Sequence, residues 1–174
     1  MGSWAKRSSA AVLVIACGGS AQTAVTPAGM SNADTTEGLA SFAFDSLDTR
    51  PVTSNAFRGK PAVLAFVTTF DPMSQVQVNV LVALGEEVPN LQLALVALQD
   101  ASARELVEIY RDAMKVKFPV ALGDAATIAG GGSLGDVHRV PTTLLIDGEG
   151  RVVWRHAGAV RGDELRKQVK KLGL

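Results

Sequence analysis

Two uninterrupted apolar runs lie in the middle of this sequence, Ala62–Val67 (AVLAFV) and Leu93–Leu98 (LALVAL). Each run has the length of one strand and contains no polar residue, which is typical of a strand buried on both faces of a sheet. The segment between the runs is long enough for a crossover helix. The pair therefore predicts two parallel strands joined by a helix.

The connecting segment SQVQVNVLVALGEEV supports two interpretations when only its periodicity is considered. Every second residue from Val76 to Val82 is apolar, as in a strand that is buried on one face. Apolar residues also recur at every fourth position (Val76, Val80, Leu84 and Val88), as in a helix. Because parallel strands require a crossover, the helix is the prediction for this segment.

The remaining elements follow from shorter patterns. FAFDS predicts a strand and DASARELVEIYRDAM a helix, in which Ser102 and Glu105 fit a capping box and Leu106, Ile109 and Tyr110 share a face. FPVAL is a short strand or an extended piece. TIAGGGSLGDVHR matches no single element, because three consecutive glycines weaken a helix.

The last 34 residues of the chain predict a hairpin and a helix. PTTLLID and RVVWRHA read as two strands joined by Gly148–Gly150, and RGDELRKQVKKLG as an amphipathic helix with Leu165, Val169 and Leu172 facing inward. The predicted order is β, β, α, β, α, β, β, α. This order indicates an α/β domain with a mixed central sheet and helices on both faces.

The first 17 residues are typical of an export signal. Lys6 and Arg7 precede the apolar stretch AAVLVIA, which is much shorter than the ~20 residues of a membrane span. The run Val14–Cys17 (VIAC) resembles the lipobox of bacterial lipoproteins, which implies cleavage before Cys17 and a lipid on its sulfur. The alternative is an ordinary secretory signal with a coincidental cysteine.

Residues 18–38 are small and polar and predict a flexible tether, because they bury too little apolar surface to offset the entropy of ordering. The folded domain is expected at residues 39–174. Cys17 is the only cysteine, so an internal disulfide is excluded. Seventeen Lys and Arg balance seventeen Asp and Glu, so the overall charge gives no attraction to nucleic acid.

The sequence FRGKPAVLAFVTTF resembles the strand that enters the active site of TlpA-like thiol–disulfide oxidoreductases. VPTTLLIDGEGRVVWRHAG is similar to the cis-proline segment and terminal hairpin of that family, and FPV also fits. The resemblance covers about residues 39–174. It implies a thioredoxin-like fold, related to that of the peroxiredoxins (alkyl hydroperoxide reductase type).

The stretch FDPMS, Phe70–Ser74, occupies the active-site turn in this resemblance. The TlpA-like turn reads Trp-Cys-Pro-x-Cys, which places Phe70 at the Trp, Asp71 at the first Cys and Ser74 at the second. The peroxiredoxin turn reads Phe-Thr-Pro-x-Cys, which places Asp71 at the Thr and Ser74 at the peroxidatic Cys. Both placements keep Pro72 and leave no cysteine at position 71 or 74, so the redox motif is degenerate.

Asp71 followed by Pro72 also predicts a helix start, with Asp71 as the N-cap and proline at the first helical position. A catalytic or metal-binding Asp71 is the alternative. The only histidines, His138 and His156, belong to no cluster with metal-ligand spacing. Ser74 lacks the Gly-x-Ser-x-Gly elbow of a Ser-His-Asp hydrolase. No metal or other cofactor is therefore predicted.

Pro141, flanked by Val140 and Thr142, corresponds to the cis-proline of the family, whereas the sequence alone also allows a trans proline at a strand start. The resemblance implies a polypeptide-binding groove formed by Phe70, Pro72, Met73, Val140, Pro141 and Thr142.

The sequence thus predicts a lipid-anchored domain of the cell envelope that faces the periplasm or another extracytoplasmic space. Its expected partners are an envelope protein or extended polypeptide, and the membrane through the lipid on Cys17. Such a domain would bind or scaffold without redox chemistry. The alternative is an oxidoreductase or peroxiredoxin-like antioxidant that uses an external thiol or a non-standard site.

Overall fold

Seven β-strands form one mixed sheet in the computed structural model of the protein, which describes residues 41–174. The predicted signal peptide, Cys17, the tether and the first two residues of the predicted domain lie outside the described residues. The strands are β1 (Ala43–Ser46), β2 (Val52–Thr53), β3 (Ala62–Val67), β4 (Gln92–Ala97), β5 (Val120–Leu122), β6 (Thr142–Ile146) and β7 (Val152–Ala157). They lie in the order β2-β1-β5-β4-β3-β6-β7.

Four α-helices connect the strands: α1 (Pro72–Glu87), α2 (Arg104–Ala113), α3 (Ala125–Ile128) and α4 (Gly162–Lys170). A 3₁₀ turn at Ala101–Ala103 leads into α2. No helix within residues 41–174 combines the length and the apolar character needed to cross a membrane.

The two apolar runs form the centre of the sheet, as predicted. β3 and β4 pair in parallel from Ala62 opposite Gln92 to Val67 opposite Ala97, and every residue of β3 is buried. The extended piece FPVAL contributes β5, which pairs in parallel with β4 and antiparallel with β1. Three residues are too few to show the periodicity of a strand in the sequence. The pairing of β5 with β4 and β1 identifies it as a strand.

The sheet has an apolar layer on each face. On one face, α1, α2 and α4 bury side chains such as Leu81, Val107 and Leu165 against the central strands. On the other face, Phe42, Phe44 and Phe57 pack with Leu134 and Val137, which belong to the loop after α3. The predicted mixed sheet with helices on both faces is confirmed. The cover is unequal, because three long helices pack on one face and only α3 with its loop lies on the other.

The connecting segment is a helix, as the crossover argument requires, but it buries a different face from the one predicted. α1 buries Ser74, Gln77, Val78, Leu81 and Leu84, whereas Val76 is exposed and Val88 is half-buried. Four valines and two leucines within residues 76–84 make most faces of this helix apolar, so periodicity could not identify the buried face.

The capping box predicted for α2 is wrong. Asp100 caps the preceding 3₁₀ turn by accepting a hydrogen bond from the amide of Ser102 at 2.9 Å, and α2 itself begins at Arg104. The predicted inward face is also only partly correct, because Tyr110 is buried while Leu106 and Ile109 are 50% and 60% exposed. The other buried residue of α2 is Val107.

The end of the chain agrees with its prediction. β6 and β7 form an antiparallel hairpin closed by Asp147–Arg151 hydrogen bonds, and α4 has acidic residues in its first turn and lysines in its last. The glycine-rich segment ends α3 at Ile128. Gly130 and Gly132 adopt positive φ angles of 93° and 108°, which are unfavourable for residues other than glycine.

Candidate functional site

Three segments meet at the edge of the sheet where the parallel strands end. Thr68–Ser74 leaves β3, Val140–Pro141 enters β6 beside it because Phe66 pairs with Thr142, and Gly158–Arg161 follows β7. The amide of Gly158 donates to the carbonyl of Pro141 at 2.7 Å, which fixes the last two segments together. The FDPMS turn therefore lies beside the Val140–Pro141 segment, at the end of β3.

Asp71 is the N-cap of α1. It has extended backbone angles (φ −94°, ψ 120°), and Pro72 occupies the first turn of the helix. Its Oδ2 accepts hydrogen bonds from the amide and the hydroxyl of Ser74, both at 2.7 Å. The predicted helix cap is confirmed, and the carboxylate lies at the positive end of the helix dipole.

The hydroxyl of Ser74 is fully buried and has two partners. It donates to Asp71 and accepts from the amide of Thr68 at 3.3 Å, so it connects the end of β3 to the first turn of α1. A nucleophile must reach its substrate and pass its proton to a base. Ser74 is enclosed and donates to a carboxylate that is already a helix cap, so this geometry serves structure.

The charge of Asp71 is stabilised by its surroundings. The hydroxyl of Ser74, together with the amides of Ser74 and Met73, lowers the pKa of the Asp71 carboxyl below its ordinary value of 3.8, although partial burial opposes the shift. Burial, and to a lesser extent the charge of Asp71, raises the pKa of the Tyr110 hydroxyl. Asp71 is thus an anion at neutral pH, and Tyr110 is a neutral phenol.

Buried polar atoms continue from this turn into the core. The side chain of Gln77 is fully buried, and its Oε1 accepts from the amide of Val160 at 2.8 Å, which attaches the loop after β7 to α1. Among the described residues, Gln77 Nε2 and the hydroxyls of Thr68, Tyr110 and Thr143 have no hydrogen-bond partner. Sequence analysis missed Gln77, because a glutamine in a valine-rich helix gives no signal that it will be buried.

An exposed apolar surface lies on the solvent side of the same turn. Phe70, Met73 and Val76 are 76%, 50% and 49% exposed. Met73 and Val76 line a groove of about 610 Å³ between α1 and the loop after β7. The other residues that line it are Val80, Ala159, Val160, Arg161, Gly162, Asp163 and Arg166. We call this the α1–α4 groove.

The residues predicted for the polypeptide groove have unequal exposure. Of the six, only Met73 lines the α1–α4 groove, and Phe70 is exposed but does not line it. The Val140–Pro141 peptide is cis, as predicted, but Pro141 and Thr142 are buried. Val76, Ala159 and Val160 were not predicted as groove residues. Only folding brings the loop after β7 against α1.

The two histidines belong to different segments of the fold. His138 is in the loop after α3, packs on Gly130 and approaches Asp136 at 3.8 Å. His156 stacks on Trp154 in β7. Within residues 41–174, no three His, Cys, Asp or Glu side chains are grouped as they would be to bind a metal.

We predict that Asp71→Ala lowers the free energy of unfolding by about 0.5–2 kcal/mol at pH 7, because the helix loses its cap. Because the pKa of Asp71 is lower in the folded state, its carboxylate stabilises the fold fully above the unfolded-state pKa of 3.8. This stabilisation is lost as the pH falls through the folded-state pKa. The difference between wild type and variant should therefore shrink below about pH 4. Urea denaturation at several pH values measures it.

Asp71→Asn should retain most of the capping, and Asp136→Ala, in an exposed loop, should change stability by less than about 0.5 kcal/mol. An unfolding midpoint that Asp71→Ala leaves unchanged at pH 7 would refute the capping role.

Known proteins with this fold include thiol–disulfide oxidoreductases. A DsbF homologue from Corynebacterium diphtheriae is 19% identical, with a TM-score of 0.71, over 84% of this chain and 96% of that one. A thio-disulfide isomerase from Thermus thermophilus is 23% identical, with a TM-score of 0.64, over 79% and 96% of the two chains. A secreted Mycobacterium tuberculosis disulfide oxidoreductase homologous to E. coli DsbE is 19% identical, with a TM-score of 0.64, over 76% and 96%.

No curated protein matches the sequence significantly. The Redoxin family model matches residues 27–172, which is most of the chain. The fold seen in the structure is the thioredoxin-like fold of the solved relatives. The chain therefore belongs to the Redoxin family and has a thioredoxin-like fold, with a degenerate motif in which neither Asp71 nor Ser74 is a cysteine.

Proposed function

We propose that this protein is a lipid-anchored, extracytoplasmic module that binds extended polypeptide and performs no redox chemistry. One observation carries the proposal. The FDPMS turn has no thiol, yet Phe70 and Met73 are exposed to solvent, and Met73 lines an apolar groove. Large apolar side chains clustered on a surface are typical of a binding site.

The absence of cysteine from residues 18–174 opposes the alternative of an oxidoreductase or antioxidant. Disulfide exchange proceeds through a thiolate and a mixed disulfide, and peroxide reduction through a cysteine sulfenic acid. An external thiol would need a reactive group in the turn, but Asp71 is a helix cap and the Ser74 hydroxyl is buried. The family fold is therefore retained without the atoms for its usual reaction.

The groove suits an extended chain with apolar side chains. Met73, Val76 and Val80 form one wall and Ala159 and Val160 the other. Burial of such surface contributes roughly 25 cal/mol per Å² of apolar area before the cost of association.

The charges beside the groove are largely paired within the domain. Arg161 contacts Asp163 at 3.1 Å, and Arg166 contacts Glu87 at 3.2 Å. The proposed ligand is consequently selected by apolar side chains more than by net charge.

The location is inferred from the N-terminal sequence and the relatives. A positive region, a short apolar stretch and the lipobox-like run Val14–Cys17 favour export and lipid attachment. One solved relative is described as a secreted disulfide oxidoreductase. The domain would then face the periplasm or another extracytoplasmic space, with residues 18–38 as the tether.

We expect the double variant Phe70→Ser, Met73→Ser to weaken binding of a permanently unfolded, cysteine-free polypeptide by at least about tenfold, because central apolar anchors each contribute more than ~1 kcal/mol. Fluorescence anisotropy of the labelled polypeptide measures the change. The matched control is Leu106→Ser, Ile109→Ser, which removes equally exposed side chains that do not line the groove. Equal losses in the two variants would show that the polypeptide does not recognise this site.

The lipid anchor is tested separately with Cys17→Ala. This variant should incorporate no labelled fatty acid and should be released from membranes into the soluble extracytoplasmic fraction, because its sulfur is the only possible site of thioether attachment. A Cys17→Ala protein that stays with the membrane would contradict lipid anchoring and leave the polypeptide site unaffected.

The placement of Asp71 and Ser74 at former cysteine positions predicts that two cysteines there form a reversible disulfide. The side chains already touch, with Ser74 Oγ 2.7 Å from Asp71 Oδ2, and the helix N-terminus should lower the pKa of a thiolate at position 71. The variant Cys17→Ala, Asp71→Cys, Ser74→Cys contains only these thiols. Thiol counting before and after mild oxidation, with a glutathione titration, measures the bond.

Free thiols under oxidising conditions, or pairing only between molecules, would show that FDPMS does not occupy the active-site turn. The single variants Asp71→Cys and Ser74→Cys, each with Cys17→Ala, are the controls, because neither can form an intramolecular disulfide.

A further inference from the structure

A second cavity lies at the opposite edge of the sheet from Asp71, where the parallel strands begin. It has a volume of about 430 Å³ and is lined by four segments: the end of α1, residues 50–57, the start of β4 at residues 91–93, and the connection from Lys115 to Pro119. It is therefore separate from the α1–α4 groove and from the FDPMS turn. Its volume is in the range of small-molecule sites.

The lining of this cavity is mostly apolar, and its one uncharged polar side chain is Gln92, whose Oε1 is buried without a hydrogen-bond partner. The apolar lining residues are Pro51, Ala56, Phe57, Val82, Leu91, Leu93, Phe118 and Pro119. Gly85 forms part of the wall, and a Cβ atom at that position would lie 2.8 Å from Cδ1 of Leu93. The glycine allows Leu93 to pack back against α1, so the space in front of Leu93 remains open.

The charged residues that line the cavity are mainly cationic: Arg50, Lys115 and Lys117, with Glu86 as the one acid. Arg50 pairs with Asp48, and the Lys117 ammonium lies 3.7 Å from Glu86. Lys115 forms no ion pair with any other residue between 41 and 174. One cation at the cavity is thus uncompensated.

Lys115 also has an unusual backbone conformation. Its φ of 56° makes it the only described residue other than glycine with a positive φ. Directly after a helix, this conformation is usually taken by glycine, which adopts it without a steric penalty. Lysine is less stable than glycine in this backbone conformation, and its side chain places a cation at the cavity.

We propose that the cavity binds a medium-chain carboxylate, with its apolar chain among Phe57, Leu93 and Phe118 and its carboxylate toward Lys115. The apolar lining selects the chain, and the uncompensated ammonium selects an anion over a neutral lipid. The site does not depend on the polypeptide-binding function, because none of its lining residues belongs to the groove.

Decanoate below its micelle concentration is the probe, and 1-decanol is the neutral control. In ¹⁵N NMR titrations of the full chain, decanoate should give saturable shifts at Val82–Leu93 and Lys115–Pro119. No saturable shifts, or shifts confined to Phe70–Val80 and Ala159–Arg166, would overturn the proposal.

Variants separate the two parts of the site. Lys115→Gln should weaken decanoate binding by about two- to fivefold, the range of one exposed ion pair, and leave decanol binding unchanged. Val82→Phe should weaken both ligands by filling the cavity. Lys171→Gln, at the exposed end of α4, should affect neither.

Lys115→Gly distinguishes a ligand role from a structural one. Glycine relieves the left-handed backbone, so the melting temperature should stay the same or rise while decanoate affinity falls by the same two- to fivefold as in Lys115→Gln. Unchanged decanoate affinity in both Lys115 variants, or equal losses for decanoate and decanol, would refute the carboxylate site.

Discussion

The hydrogen bonds between Asp71 and Ser74 hold the end of the central strand to the start of the longest helix. One carboxylate oxygen accepts from both the amide and the hydroxyl of Ser74, and that hydroxyl accepts from the amide of Thr68. The turn between β3 and α1 is thereby closed by side chains where no disulfide can form. The position of α1, and of both cavities along it, depends on this connection.

This arrangement explains how the turn keeps its shape in a Redoxin-family domain that has no cysteine there. A cysteine thiolate at a helix start is stabilised by the same N–H groups and dipole that stabilise a carboxylate. Asp71 retains the charge that the helix favours, with its pKa lowered by Ser74. Asp71 therefore places a negative charge at the start of α1, in a turn that contains no cysteine.

The helix α1 connects the two proposed binding sites. Its first half presents Met73 and Val76 to the α1–α4 groove, and its second half presents Val82 and Gly85 to the cavity at the other edge. Between them, Val78, Leu81 and Leu84 are buried against the sheet. A valine-rich helix with apolar residues on most faces can serve the core and two surfaces at once.

Features that depend on neighbours along the chain can be predicted from the amino-acid order. The buried strand β3, the Asp71–Pro72 helix start, the β6–β7 hairpin and the polarity of α4 all follow from local propensity, capping and turn chemistry. The buried faces of α1 and α2, the enclosure of Ser74 and Gln77, and the groove that Ala159 and Val160 complete are set by packing between distant segments. Burial depends on residues far away in the sequence, and a local pattern contains no information about which distant segment will cover it.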